Sequence, residues 1–131
     1  MTYGAETWNI KKSQEKKLNV AEMKMLRWAS GHTLLDRIEN EEIRRRTKVT
    51  ELHAKVQEKR LRWYGHMLRR DEDHVTRRTL EMEVEGRRRQ GRPRRRWLDC
   101  VKEDLAEKRL GVQDAANRER WKRLTKNGDP T

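Results

Sequence analysis

Between residues 50 and 70 the chain reads TELHAKVQEKRLRWYGHMLRR, and its apolar residues recur three and four positions apart. Leu52, Val56, Trp63 and Met67 fall near one face of a helix, and Leu61, Tyr64 and Leu68 widen that face. Thr50 stands where a cap is needed. Gly65 interrupts the stretch at a cost of about 1 kcal/mol relative to alanine. A glycine kept there predicts a close approach by another backbone or a ligand. No segment supplies a strand pattern of comparable strength, so the periodicity predicts an all-α fold.

The flanking segments extend that reading. SQEKKLNVAEMKMLRWASG spaces Leu18, Ala21, Met25 and Trp28 as a second helix, with Ser13 as N-cap and Gly31 as stop. DRIENEEIRRRT offers Asn40 as a cap, with Glu41 and Glu42 in the first turn and Arg44 to Arg46 in the last. That order suits the helix dipole at both ends and gives about two turns. WLDCVKEDLAEKRLG brings Trp97, Leu98, Val101 and Leu105 to one face, with Gly111 as C-cap. QDAANRERWKRL closes the chain with Ala116, Trp121 and Leu124. DEDHVTRRTLEMEVEG reads as a turn followed by either a short helix or an extended piece.

Material for a core is scarce. Leu, Ile, Val and Phe together number 22 of 131 residues, below the roughly 20% at which high net charge signals disorder. Five tryptophans offset this in part, since each buries on the order of 150 to 250 Å². The expectation is four to five short helices around a thin core. Residues 1–85 form a helical region, 86–96 a basic arm, and 97–131 a helical pair, within one small domain overall.

Residues 86–96, GRRRQGRPRRR, hold seven arginines, two glycines and a proline but no apolar side chain. Such a run cannot face a core, so it is read as an extended arm ahead of the penultimate helix. Guanidinium groups stay charged and match phosphate oxygens with a planar fork of donors. Arg87, Arg88, Arg89, Arg92, Arg94, Arg95 and Arg96 are therefore the expected phosphate contacts, supported by Arg62, Arg69 and Arg70. Four to six such contacts on duplex DNA would give a slope of log K against log salt of roughly −4 to −5. Trp63 and Tyr64 are the possible base-stacking residues, although tryptophan at helical spacing more often packs in a core. Gly91-Arg92-Pro93 also looks like the centre of an AT-hook, with Gln90 where the hook usually has arginine. A solvated linker or a nuclear localisation signal is the plainer reading of the same run.

Charge and residue inventory narrow the partners. With 34 Lys and Arg against 22 Asp and Glu the formal charge is +12, which attracts phosphate polymers or an anionic surface by field alone. Residues 51–100 carry the largest share, 15 basic against 9 acidic or +6. Cys100 is the single cysteine, so no intramolecular disulfide or cysteine-rich zinc site forms. His32, His53, His66 and His74 lack any zinc-binding spacing, and no metal or other cofactor is expected. No apolar run approaches the 18 residues of a membrane span. Carboxylates such as Asp71, Glu72 and Asp73 sit among arginines at helical spacing and read as surface ion pairs.

Five segments together carry a resemblance: YGAETW (3–8), EMKMLRWASG (22–31), RIENEEIRRRT (37–47), RLRWYGHMLRR (60–70) and GRPRRRWLDCVKEDL (91–105). In order and spacing they resemble the C-terminal region of the endonuclease/reverse transcriptase polyproteins of non-LTR (LINE-type) retrotransposons, downstream of the polymerase palm and thumb. The family's catalytic motif, an aromatic residue followed by x-Asp-Asp, has no counterpart here. The resemblance therefore implies no enzyme. It implies a non-catalytic, nuclear (or nuclear and cytoplasmic) fragment that holds template RNA or target DNA through its arginines. Met1-Thr2 precede YGAETW, where the family continues from the thumb, so a truncated or domesticated piece is expected. The alternative is a structural helical module that docks on a polymerase thumb or on a second copy of itself, with no ligand of its own.

Overall fold

The structure is a computed structural model, and it describes residues 3–82, 90–91 and 95–127. Those residues form an all-α fold without strands. Its helices are α1 (Lys12–Ala29), α2 (Asn40–Thr47), α3 (Leu52–Leu68), α4 (Val75–Glu81), α5 (Trp97–Lys108) and α6 (Arg118–Thr125). Three short 3-10 turns, Ala5–Thr7, Leu34–Asp36 and Val112–Ala116, join them. Six helices replace the expected four to five, because DHVTRRTLE resolves into α4, capped by His74 accepting from the Thr76 amide. α1 and α3, of 18 and 17 residues, are not short.

α3 is the axis of the fold. The N-terminal 3-10 turn, α1, α4, α5, α6 and the Val112–Ala116 turn all pack on it. It is buried almost all round: Leu52, Val56, Leu61, Tyr64 and Met67 face inward, as do the polar Gln57, Glu58 and Arg60. Two clusters share this helix. The larger joins Leu61, Tyr64 and Met67 to Val101 and Leu105 of α5, Ala115 and Trp121, with Trp63, Leu68 and Trp97 packed against it. The smaller gathers Ala5, Ile10, Leu52 and Val56, flanked by Trp8 and Leu18. Both halves of the chain thus contribute to one core. The opening segment, which shows no helical period, turns out to plug that core with Ala5 and Ile10.

Several expected details shift for identifiable reasons. α1 starts at Lys12, so Ser13 lies inside the first turn rather than capping it. Its buried residues are Glu22 and Met23, whereas Met25 is 48% and Trp28 85% exposed. The rotation follows from an ion pair: the Glu22 carboxylate accepts from Arg44 of α2 at 2.8 Å and from the Leu52 amide. Glu39 takes the cap position of α2, and the Asn40 side chain accepts from Arg27 instead. Glu51, one residue after Thr50, occupies the N-cap position of α3. α5 ends at Arg109 in a left-handed conformation (φ +54°), and Gly111 instead opens the following 3-10 turn. That turn moves the last helix later, so Ala115, Trp121 and Thr125 are buried while Ala116 and Leu124 are exposed. Gly31, at φ +68°, does end α1 as the stop signal predicts.

Candidate nucleic-acid interface

Along one flank of α3, Lys59, Arg62, Trp63, His66 and Arg69 recur at three- and four-residue steps. α6 lies beside this flank and adds Arg118, Glu119 and Lys122, the first and last one helical turn apart. Between them runs a cleft of about 700 Å³, whose lining also includes Glu6 of the N-terminal segment and the buried Trp121. Five cationic side chains therefore surround two carboxylates and an aromatic wall. Long-range field lines concentrate in such a concavity.

Each wall residue is held in a definite way. The Trp63 ring stacks on His66 with centroids 5.3 Å apart and planes 21° from parallel. Arg70 donates toward His66 Nε2 at 3.3–3.4 Å. Because a guanidinium only donates, Nε2 is the acceptor and the imidazole is neutral in this arrangement. Burial holds the His66 pKa below its usual 6.5, and Arg70, Arg69 and Arg118 add to the effect. Arg69 is anchored by a 2.8 Å bond from Nη1 to the Ala115 carbonyl. Arg62 meets Glu58 at 2.7 Å yet leaves 56% of its side chain exposed. Arg118 and Lys122 are exposed, and neither forms an ion pair with another described residue.

The expected site residues separate into groups. Arg87, Arg88, Arg89, Arg92 and Arg94 lie outside the described residues. Arg95 folds back: its Nε reaches Cys100 Sγ at 3.0 Å and its Nη2 meets Glu103 at 2.6 Å. Against partial burial, the hydrogen bond that Arg95 donates to Cys100 and the Glu103 charge strengthen its hold on the proton. Arg96 is exposed, and its amide donates to Asp99 at 2.7 Å. Arg62, Arg69 and Trp63 come together in the cleft, and Arg70 stands at its edge behind His66. Tyr64 is corrected: at 8% exposure it packs beside Trp97, and its ring offers no face to a base.

The base of the arm is fixed to the N-terminal segment. Trp97 Nε1 donates to the Glu6 carbonyl at 2.8 Å, Cys100 Sγ donates to Asn9 Oδ1 at 3.2 Å, and the Asn9 amide donates to the Arg95 carbonyl. Glu6 also lines the cleft, so Trp97 at the start of α5 is tied to a residue of the cleft wall. Lys59, His66, Arg118 and Lys122 were not among the expected contacts. For α3 the signal was available, since a basic and aromatic stripe runs along the helix at the same period as its core stripe. For α6 it was not, because nothing local places Arg118 opposite Trp63.

Among the described residues no group of three or more His, Cys, Asp or Glu is placed to hold a metal ion. No described helix is long and apolar enough to cross a membrane. Comparison of the chain with family models, with curated proteins and with solved structures finds no match.

Proposed function

We propose that the protein is a non-catalytic nucleic-acid-binding module, of the kind its resemblance to the C-terminal region of LINE-type reverse transcriptases implies. It holds RNA or DNA in the nucleus through phosphate contacts. The carrying observation is the cleft, where Arg62, Arg69, Arg118, Lys59 and Lys122 line the same concavity as the stacked Trp63–His66 pair, in a chain whose residues 86–96 hold seven arginines. Cationic grooves with aromatic walls are how sequence-tolerant binders grip a nucleic-acid backbone. The Arg95 ion pair supports the same reading, because it fixes Arg95, near the end of the arginine run, on α5.

Anisotropy of labelled single-stranded RNA and duplex DNA, measured from 50 to 300 mM salt, tests this. Binding should weaken steeply with salt. Gln at Arg92, Arg94 and Arg96, leaving Arg95 in its ion pair, should make the duplex slope shallower by about 2 to 3. Unchanged affinity and slope in that variant would remove the arm from the interface. No binding to either nucleic acid would end the proposal.

A second reading, a docking module, draws on a different surface. Along α1 and the Leu34–Asp36 turn, Trp28, Leu34 and Leu35 are 85, 78 and 90% exposed, and Trp28 and Leu34 line one surface groove with Val20. Contiguous apolar surface of this kind marks protein contacts. If it joins two copies, sedimentation should show concentration-dependent association that Trp28→Ser with Leu35→Ser abolishes. A chain that stays monomeric at all concentrations would count against self-association.

A further inference from the structure

The cleft between α3 and α6 is built differently from a phosphate track. Its wall includes the indole of Trp63, which is only partly buried, although Trp121 in the same lining is 1% exposed. Its lining includes the carboxylates of Glu6 and Glu119, which repel phosphate but accept hydrogen bonds from the exocyclic amino groups of bases. Its volume of about 700 Å³ lies in the range of pockets that enclose small ligands, roughly 300 to 1,000 Å³. A duplex hides its base faces, so it could only lay its backbone across the mouth and would leave the aromatic wall unused. An unpaired strand presents base faces and phosphates together.

We infer that this cleft takes a single-stranded segment, one base stacked against the Trp63–His66 pair and the adjoining phosphates on Arg62, Arg118 and Lys122. The inference rests on the nucleic-acid-binding reading and narrows it to unpaired strands. Two features fit the assignment. Arg118 and Lys122 stand four residues apart on one face of α6, so both reach the same strand. The neutral His66 ring lies stacked on Trp63, so the pair forms a stack that a base can continue without meeting a charge it must desolvate. Stacking is tolerant of sequence, because every base has a π-face.

The test uses the full chain with a 12-nucleotide single-stranded oligonucleotide and a duplex of the same length, as RNA and as DNA. The unaltered protein should bind the single strand more tightly. Trp63→Leu should weaken single-strand binding by roughly 5- to 100-fold, the worth of one stacked base. The salt slope and duplex binding should stay as they were. Trp63→Tyr, which keeps a ring, should restore most of the loss. Arg118→Gln with Lys122→Gln lies wholly on the exposed face and does not depend on core packing. It should make the single-strand slope shallower by about 1.4. If that variant binds the single strand with unchanged affinity and slope, the inference is overturned whatever Trp63→Leu does. Equal binding of single strand and duplex, both lost only on neutralising the arm, would also overturn it while leaving the broader function standing. Binding of neither form by the unaltered protein would instead remove the function itself.

Discussion

Gly65→Ala should destabilise the protein by about 2 to 4 kcal/mol, the opposite of its effect in an ordinary helix. In an exposed helix interior the same change gains about 1 kcal/mol. Here a Cβ on residue 65 would stand 2.2 Å from Trp121 Nε1, 2.6 Å from Cδ1 and 2.9 Å from Cε2. The indole is there because its Nε1 donates to the Leu61 carbonyl at 2.9 Å. That carbonyl is the one helix geometry pairs with the residue-65 amide, so the ring must lie directly over the glycine to reach it. Trp121 is 1% exposed and belongs to the larger cluster. Moving it disturbs the packing of α6 against α3 and breaks a buried hydrogen bond. Overpacking alone costs about 1 to 3 kcal/mol, and a buried donor left unpaired costs about 1 to 3 more. Urea unfolding read by circular dichroism measures the loss. The two sites should be coupled: in a Trp121→Ala background, Gly65→Ala should cost far less, because the ring it strikes is gone. A stabilised Gly65→Ala protein would mean that α6 does not seat its tryptophan on α3.

That glycine marks how far the sequence is legible. Its position in the longest periodic stretch announces a close approach, and the long helix itself follows from period alone. What approaches is set by Trp121, 56 residues later, and no local pattern carries that pairing. The same holds for the cleft, whose α3 wall is a readable stripe but whose α6 wall is known only once the helices dock. α1 misleads for another reason. Leu18, Ala21, Met25 and Trp28 form a legitimate helical face, yet an ion pair between Glu22 and Arg44 turns the helix so that Trp28 is left outside. Periodicity counts apolar side chains and cannot see a partially buried salt bridge outweigh them. In the arm, seven equal charges look interchangeable. Arg95 is held by Cys100 and Glu103, which come within reach only after α5 begins.

Arg60→Met should cost about 3 to 5 kcal/mol at neutral pH, whereas Arg60→Met combined with Asp104→Leu should recover most of that or exceed the original stability. Arg60 on α3 and Asp104 on α5 meet at 2.9 Å with side chains 1 and 6% exposed. Removing one partner leaves the other charge buried, while removing both replaces two desolvated ions with apolar packing. The pair is imperfect as it stands. Arg60 Nε and Nη2 are buried and find no hydrogen-bond partner among the described residues. The Asp104 carboxyl is pushed up to about 6 by burial, against the opposing pull of Arg60 and the Gln57 amide. Its proton is therefore held to higher pH in the folded chain than in the unfolded one, whose carboxyl releases it near 3.8. Between those values the folded state binds more protons, so this group's contribution to stability falls as pH rises from about 4 to 6. The difference in stability between the unaltered chain and Asp104→Asn should accordingly shift in favour of the unaltered chain at pH 5 relative to pH 7.5. The Arg60→Met penalty should shrink over the same step, because a protonated Asp104 no longer needs a cation. Denaturant titrations of the four chains at the two pH values decide the matter. A penalty for Arg60→Met that is the same at both, and not recovered in the double variant, would show that Arg60 stabilises the α3–α5 interface through its packed methylenes rather than through its charge.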